Sequence, residues 1–207
     1  MKIVLATHNK DKIKEIKALL YDLPIDILTY KDFDVFPDVV ENQDTLVGNA
    51  EKKAREIFEI TGIPAMADDT GLFVDALSGA PGVYSSRYAG EDVTYADNRH
   101  LLLQNMRDIT LENRDAEFKT VIVLVMNKNN KYIVEGSCPG YIGFEEKGDM
   151  GFGYDPIFYL KDSGKTFAEL SIDEKNIISH RGRALKKIKE ILKEIVQKIH
   201  DNEENYG

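Results

Sequence analysis

Ala116-Glu117-Phe118-Lys119-Thr120-Val121-Ile122-Val123-Leu124-Val125-Met126 is the stretch on which the fold turns. Its β-branched and aromatic residues predict a strand, and the unbroken apolar run from Val121 to Val125 requires cover on both faces. The polar turn Asn127-Lys128-Asn129-Asn130 and a second strand over 131–135 then predict an antiparallel hairpin.

Strands and helices to cover this hairpin lie on either side of it in the chain. A strand over 2–6 precedes a helix starting near Ile13, with Ile13, Ile16, Leu19 and Leu20 on one face. A second strand falls within 25–36, and a helix over about 45–61 carries Leu46, Ala50, Ala54, Ile57 and Phe58 at helical spacing. Further helices are expected over 97–106 and from Ser171, which stands at capping-box spacing from Glu174. An amphipathic helix closes the chain over 184–199, with a frayed, flexible tail from 201 to 207. The pattern predicts an α/β fold, a central mixed β-sheet with flanking helices, as a single domain over 1–207.

A chain of 207 residues, 43% hydrophobic and 30% charged with no tryptophan, has the composition of a soluble globular protein. No apolar run is long enough to span a bilayer, and Met1-Lys2 leads straight into a strand, so no membrane is expected and the location expected is cytoplasmic. Cys138, the single cysteine, reads as a structural thiol. A net charge of −9 argues against nucleic acid as a partner, which needs a broad positive surface. Small anions remain open, because Lys10, Lys12, Lys14 and Lys17 cluster near the amino terminus.

Four polar stretches stand out against this framework. In Ala67-Asp68-Asp69-Thr70-Gly71-Leu72 two adjacent carboxylates follow the apolar run Ile63-Pro64-Ala65-Met66-Ala67 and precede a glycine. This reads as a strand delivering acids to a loop where a divalent cation could sit, and equally as an acidic surface turn. Thr7-His8-Asn9-Lys10-Asp11-Lys12 occupies a strand-to-helix junction, which suits a phosphate or an ordinary helix cap. Gly151-Phe152-Gly153-Tyr154-Asp155 offers a ring on a glycine-lined turn, either a stacking face for a base or an aromatic plug. Lys175 near a helix start and Ser179-His180-Arg181 bring donors together. Lys53, on or beside the apolar stripe of its helix with Asn49, is either a phosphate ligand or a snorkelling lysine.

Taken in order, Thr7-x-Asn9-x-x-Lys12, Glu41, Asn49-Ala50, Lys53, the ADDTGL of residues 67–72, the GAPGVYSSRY of 79–88, the glycine-rich 151–155 and the EKNIISHR of 174–181 resemble the non-canonical purine nucleoside triphosphate pyrophosphatases. The resemblance implies an elongated two-lobed fold with the active site in the inter-lobe cleft, a homodimer, and Mg2+-dependent hydrolysis of ITP, dITP and XTP to the monophosphate and pyrophosphate. It implies Asp69 as proton acceptor and metal ligand, with Glu41 and Asp68 as further contributors to the metal site. It implies contacts to the triphosphate from Thr7, His8, Asn9, Lys10, Asp11, Lys12, Lys53 and Thr70. Contacts to the nucleoside would come from Phe152, Gly153, Tyr154, Asp155, Lys175, His180 and Arg181. The chain departs from the family pattern at Thr70, where serine is usual, and at Gly48, where an acid is frequent. A modified-pyrimidine preference and a non-catalytic nucleotide sensor are the alternatives.

Overall fold

The apolar run from Val121 to Val125 is buried along its whole length, as a strand covered on both faces must be. The computed structural model describes residues 1–206, with side chains described through residue 201. The run lies in β5 (Asp115–Asn127), which is followed across the polar turn by β6 (Asn130–Ile142). So short a connection makes the pair an antiparallel hairpin. The seven-stranded sheet has the order β2-β1-β3-β5-β6-β7, with β4 paired to β3. Here β1 is Lys2–Leu5, β2 Asp26–Leu28, β3 Ala65–Val74, β4 Pro81–Gly82 and β7 Phe158–Tyr159. β1 runs parallel to β2 and to β3, while β3–β4 and β6–β7 are antiparallel, so the sheet is mixed.

Among the described residues five α-helices accompany it: α1 (Lys10–Leu20), α2 (Leu46–Thr61), α3 (Tyr95–Asn105), α4 (Ile172–Ile178) and α5 (His180–Tyr206). Their starts are set by local chemistry. The side chains of Asn9, Thr45, Thr94 and Ser171 each accept a backbone N–H of the first turn, and Asp97 and Glu174 complete reciprocal capping boxes. No described helix is long and apolar enough to cross a membrane.

The chain divides into two compact units. The first comprises 1–69, 121–135 and 184–207, and its core packs Ile3, Leu5, Met66, Ile122 and Leu124 of the strands with Ile16, Leu20, Leu185 and Ile188 of the helices. The second comprises 70–120 and 136–183, with a core of Leu72, Val74, Phe118, Ile142, Phe158 and Phe167. β3, β5, β6 and α5 each continue from one unit into the other.

Several boundaries differ from expectation, and β6 also runs on to Ile142 past the expected 135. α1 starts at Lys10 rather than near Ile13, because the Asn9 side-chain oxygen takes the N–H groups of Asp11 and Lys12 at 2.9 and 3.1 Å. α5 starts at His180, four residues before its apolar stripe. It also runs on to Tyr206, where a frayed tail was expected from 201; Gly207 and the side chains after Asp201 lie outside the described residues. Finally, Asp68 and Asp69 sit within β3, not on a loop after it, and Gly71 is a strand residue rather than a turn. Its lack of a side chain admits β4, since a Cβ there would lie 2.6 Å from the Gly82 carbonyl oxygen.

Candidate active site

The paired acids are buried, with Asp68 at 2% and Asp69 at 5% exposure, so each needs a partner. Successive residues of a strand point to opposite faces, and the two carboxylates accordingly meet different cations. Asp68 Oδ2 lies 3.1 Å from Lys12 Nζ, delivered by the first turn of α1. Asp69 faces α2, where Asn49 Nδ2 donates to Oδ2 at 3.1 Å and Lys53 Nζ lies 3.7 Å from Oδ1.

Lys53 is the centre of this cluster. Its ammonium pairs with the Glu41 carboxylate and donates to the Asp68 carbonyl oxygen at 2.8 Å. Burial alone would pull the Lys53 pKa down, but Asp69, Glu41 and Asp68 together hold it above the ordinary lysine value. Burial pushes the Asp69 carboxyl above the usual carboxylate range, with Glu41 adding to the rise and Lys53, Lys12 and the Asn49 amide opposing it. The segment bearing Glu41 is itself fastened to α2. Lys52 Nζ donates to the Val40 carbonyl oxygen and to Asn42 Oδ1 at 2.8 and 2.9 Å, and Asn49 Oδ1 accepts the Gln43 N–H at 2.9 Å.

Of the amino-terminal hexad, Lys12 lies beside the acids. Thr7 Oγ1 and Asn9 Oδ1 accept backbone N–H groups, so they shape the turn and cap α1. Part of the amide set that a phosphate would use is thereby engaged by the protein itself. His8 pairs with Asp38 at 2.8 Å and packs against Tyr30 and Phe36, and Lys10 and Asp11 are exposed at the start of α1.

The second unit holds a separate constellation. The Thr70 and Thr120 hydroxyls are 2.6 Å apart, and Arg181 Nη2 donates to Thr70 Oγ1 at 3.1 Å. The Arg181 guanidinium and the Lys175 ammonium lie 5.4 and 5.1 Å from the centre of the Phe152 ring. Lys175 is anchored by Asp155, whose Oδ2 takes the ammonium at 2.6 Å and also the Phe152 N–H at 2.8 Å. The His180 ring stacks on Phe118 at 4.5 Å between centroids and a 12° interplanar angle.

Two of the predicted nucleoside contacts have other duties. Tyr154 points its ring into the core and donates its hydroxyl to the Ser85 carbonyl oxygen at 2.9 Å, with burial pushing the phenol pKa well up. Asp155 is buried and engaged within its own loop and with α4. Residues outside the predicted set also take part: Asn49, Lys52 and Thr120. Thr120 did carry a signal, as a polar residue directly ahead of an apolar run in a central strand; Lys52, in a charged stretch of α2, carried none.

No group of three His, Cys, Asp or Glu side chains is arranged to hold a metal among the described residues. Glu41 and Asp69, both paired with the Lys53 ammonium, are nevertheless hard-oxygen donors, while Asp68 turns to Lys12. Mg2+ asks for only one or two carboxylates when substrate phosphates and waters complete its shell, so the residues fit that ion.

Fold and clusters define an α/β protein with buried carboxylates held by lysines in its first unit and a second set of cations around an aromatic ring in its second. A family model for the Ham1 family matches residues 3–191, and the chain belongs to that family. A dITP/XTP pyrophosphatase of Desulforamulus reducens is 47% identical over 192 residues, covering 93% of this chain and 96% of the relative. One from Geobacter sulfurreducens is 45% identical over 191 residues, covering 92% and 96%. The structure of a HAM1 protein from Coxiella burnetii superposes with a TM-score of 0.86 at 44% identity, covering 94% of this chain and 99% of that one. The resemblance drawn from the ordered motifs is borne out by these matches.

Proposed function

We propose that this chain hydrolyses the non-canonical purine nucleoside triphosphates dITP, ITP and XTP to the monophosphate and pyrophosphate, removing them from the nucleotide pool. The observation that carries the reading is Asp69, a buried carboxylate oriented by an amide on one oxygen and facing an ammonium with the other. Its relatives named dITP/XTP pyrophosphatases supply the substrate class.

In this reading a water oxygen attacks the α-phosphorus, the bond to the bridging oxygen breaks, and pyrophosphate departs. The water proton passes to Asp69, which an aspartate can accept when positioned within hydrogen-bond reach. Lys12 and Lys53 offset the charge of the phosphate chain, and Thr70 presents a hydroxyl. Glu41, Asp69 and Asp68 would hold Mg2+, which supplies Lewis-acid polarisation of phosphate oxygens and of water.

The base would stack on Phe152. A six-oxo purine presents an acceptor to the donors of Lys175, His180 and Arg181, whereas adenine presents an amino group there. Such a donor-to-donor mismatch costs orders of magnitude in specificity. Rejection of guanine would come from its two-amino side. Mg2+ as cofactor, a homodimer and a cytoplasmic location belong to the same reading.

The test is to incubate the protein with Mg2+ and equal dITP, ITP, XTP, GTP and ATP, and to identify the products. Pyrophosphate from the first three is expected. Release of orthophosphate, or a profile led by ATP or a pyrimidine nucleotide, would overturn the reading.

A further inference from the structure

We infer that Arg99 of α3 is a positioning residue for base recognition, clasping the two ends of segment 146–153 so that Phe152 is held in place. This rests on the reading of Phe152 as the ring on which the base stacks.

The segment is soft by composition. Gly148, Gly151 and Gly153 all adopt positive φ, at 79°, 73° and 63°, and residues 144–151 are exposed. A loop of that kind keeps one shape only if something outside it fixes its backbone. Asp155 ties down the far side of the turn through the Phe152 N–H. The middle of the segment is held by the Lys147 N–H on the Pro156 carbonyl oxygen and the Met150 N–H on the Ala168 carbonyl oxygen, at 2.9 and 3.0 Å. Arg99 adds a side-chain tie at the turn itself, its Nη1 donating to the Gly153 carbonyl oxygen at 2.9 Å. Its Nε lies 2.9 Å from a Glu146 carboxylate oxygen, an ion pair by distance rather than an aligned hydrogen bond, and the Arg99 side chain is only 15% exposed. One planar guanidinium thus reaches both ends of the segment, which a lysine, with a single ammonium, cannot do in the same geometry.

The platform beneath Arg99 is itself rigid. Thr94 and Asp97 cap the start of α3 reciprocally. The next residue, Asn98, is buried and bridges the Ser86 carbonyl oxygen and the Ala89 N–H at 3.0 and 2.8 Å. One helical turn before Arg99, Tyr95 sets its ring 5.9 Å from that of Phe152 at a 40° tilt. Residues four apart share a helix face, so Tyr95 and Arg99 address the loop from one surface. Arg99 touches neither phosphate nor the reacting atoms in this assignment and acts through Phe152.

The experiment is steady-state hydrolysis of dITP by the full chain with Mg2+, comparing wild type with Arg99→Met, Arg99→Lys, Glu146→Gln and Phe152→Ala, each with its thermal midpoint. Arg99→Met is expected to raise KM by about tenfold, on the order of one lost charged hydrogen bond, while kcat stays within about threefold. Arg99→Lys should recover part of the loss, and Glu146→Gln should move KM the same way by less. A fall in kcat at unchanged KM would mark Arg99 as merely structural and overturn the inference. So would a raised KM in Phe152→Ala alone. Should Arg99→Met fail to fold, unchanged KM in both Arg99→Lys and Glu146→Gln overturns it. Unchanged KM in Phe152→Ala would show that the base-stacking reading has failed first, and the inference falls with it.

Discussion

The Asn49 side-chain amide donates to Asp69 Oδ2 at 3.1 Å while its own oxygen accepts the Gln43 N–H at 2.9 Å. These two bonds fix the amide's orientation, and through it the oxygen that Asp69 turns toward Lys53. Asn49→Ala removes both bonds from a fully buried site. A loss of about 1–3 kcal/mol in urea unfolding is expected for the groups left unsatisfied. Turnover of dITP should drop at least tenfold, since the base loses its alignment. Unchanged turnover at reduced stability would assign Asn49 to the fold alone.

Asp69→Asn keeps the volume of the side chain and removes its ability to accept a proton. Turnover should fall by about 10²–10⁴-fold, the range of a positioned general base. Nucleotide binding, measured by equilibrium titration, should remain. Retained turnover would move the base to another residue.

Lys53→Met leaves Glu41 and Asp69 without the cation that lies between them. Breaking a buried pair in this way costs about 3–5 kcal/mol at neutral pH. The sign of its pH dependence follows from Asp69. Burial already raises its folded pKa above the unfolded value, and losing the ammonium raises it further. A raised carboxyl penalises the folded state above its folded pKa and not below its unfolded one. The stability gap between wild type and Lys53→Met should therefore narrow as the metal-free proteins are moved from pH 7 toward pH 4. Lys53 in wild type stays charged throughout that window, because its own pKa is raised. Chemical denaturation at several pH values checks the trend; a gap that widens on acidification would contradict it.

Thr120→Val replaces a fully buried hydroxyl by a methyl of equal size, and with it the partner of the Thr70 hydroxyl. A modest cost of about 0.5–1.5 kcal/mol is expected in thermal unfolding. Because Thr70 also takes the Arg181 guanidinium, a several-fold loss in kcat/KM should accompany it. Full activity would show that Arg181 alone suffices to hold Thr70.

The residues most easily read were those whose role is local. Thr45 and the Ser171–Glu174 pair announce helix starts by their own side-chain chemistry, and the run from Val121 to Val125 announces a buried strand by having no polar face. The paired acids were misplaced onto a loop because aspartate is a poor strand former and Gly71 is a usual turn signal. What keeps them in β3 is Lys12 from α1 and Lys53 from α2, partners that no local pattern reveals. The same limit hid Arg99, whose two contacts are 47 and 54 residues away in the chain. Asp155 is expected from the motifs as a nucleoside contact, and its engagement with Lys175 across 20 residues is visible only in the folded chain.

Gly71 leaves no room for even the smallest side chain. With the Gly82 carbonyl oxygen 2.6 Å from where a Cβ would stand, even an alanine must push Gly82 aside. Ser85 bridges the Leu72 N–H and that same Gly82 oxygen, and its carbonyl takes the Tyr154 hydroxyl two residues after Phe152. A one-methyl change beside the acids would thus be transmitted to the aromatic turn. On the reading of Phe152 as the platform for the base, an activity screen would score it as an altered choice of base, although the residue carries no group able to touch one.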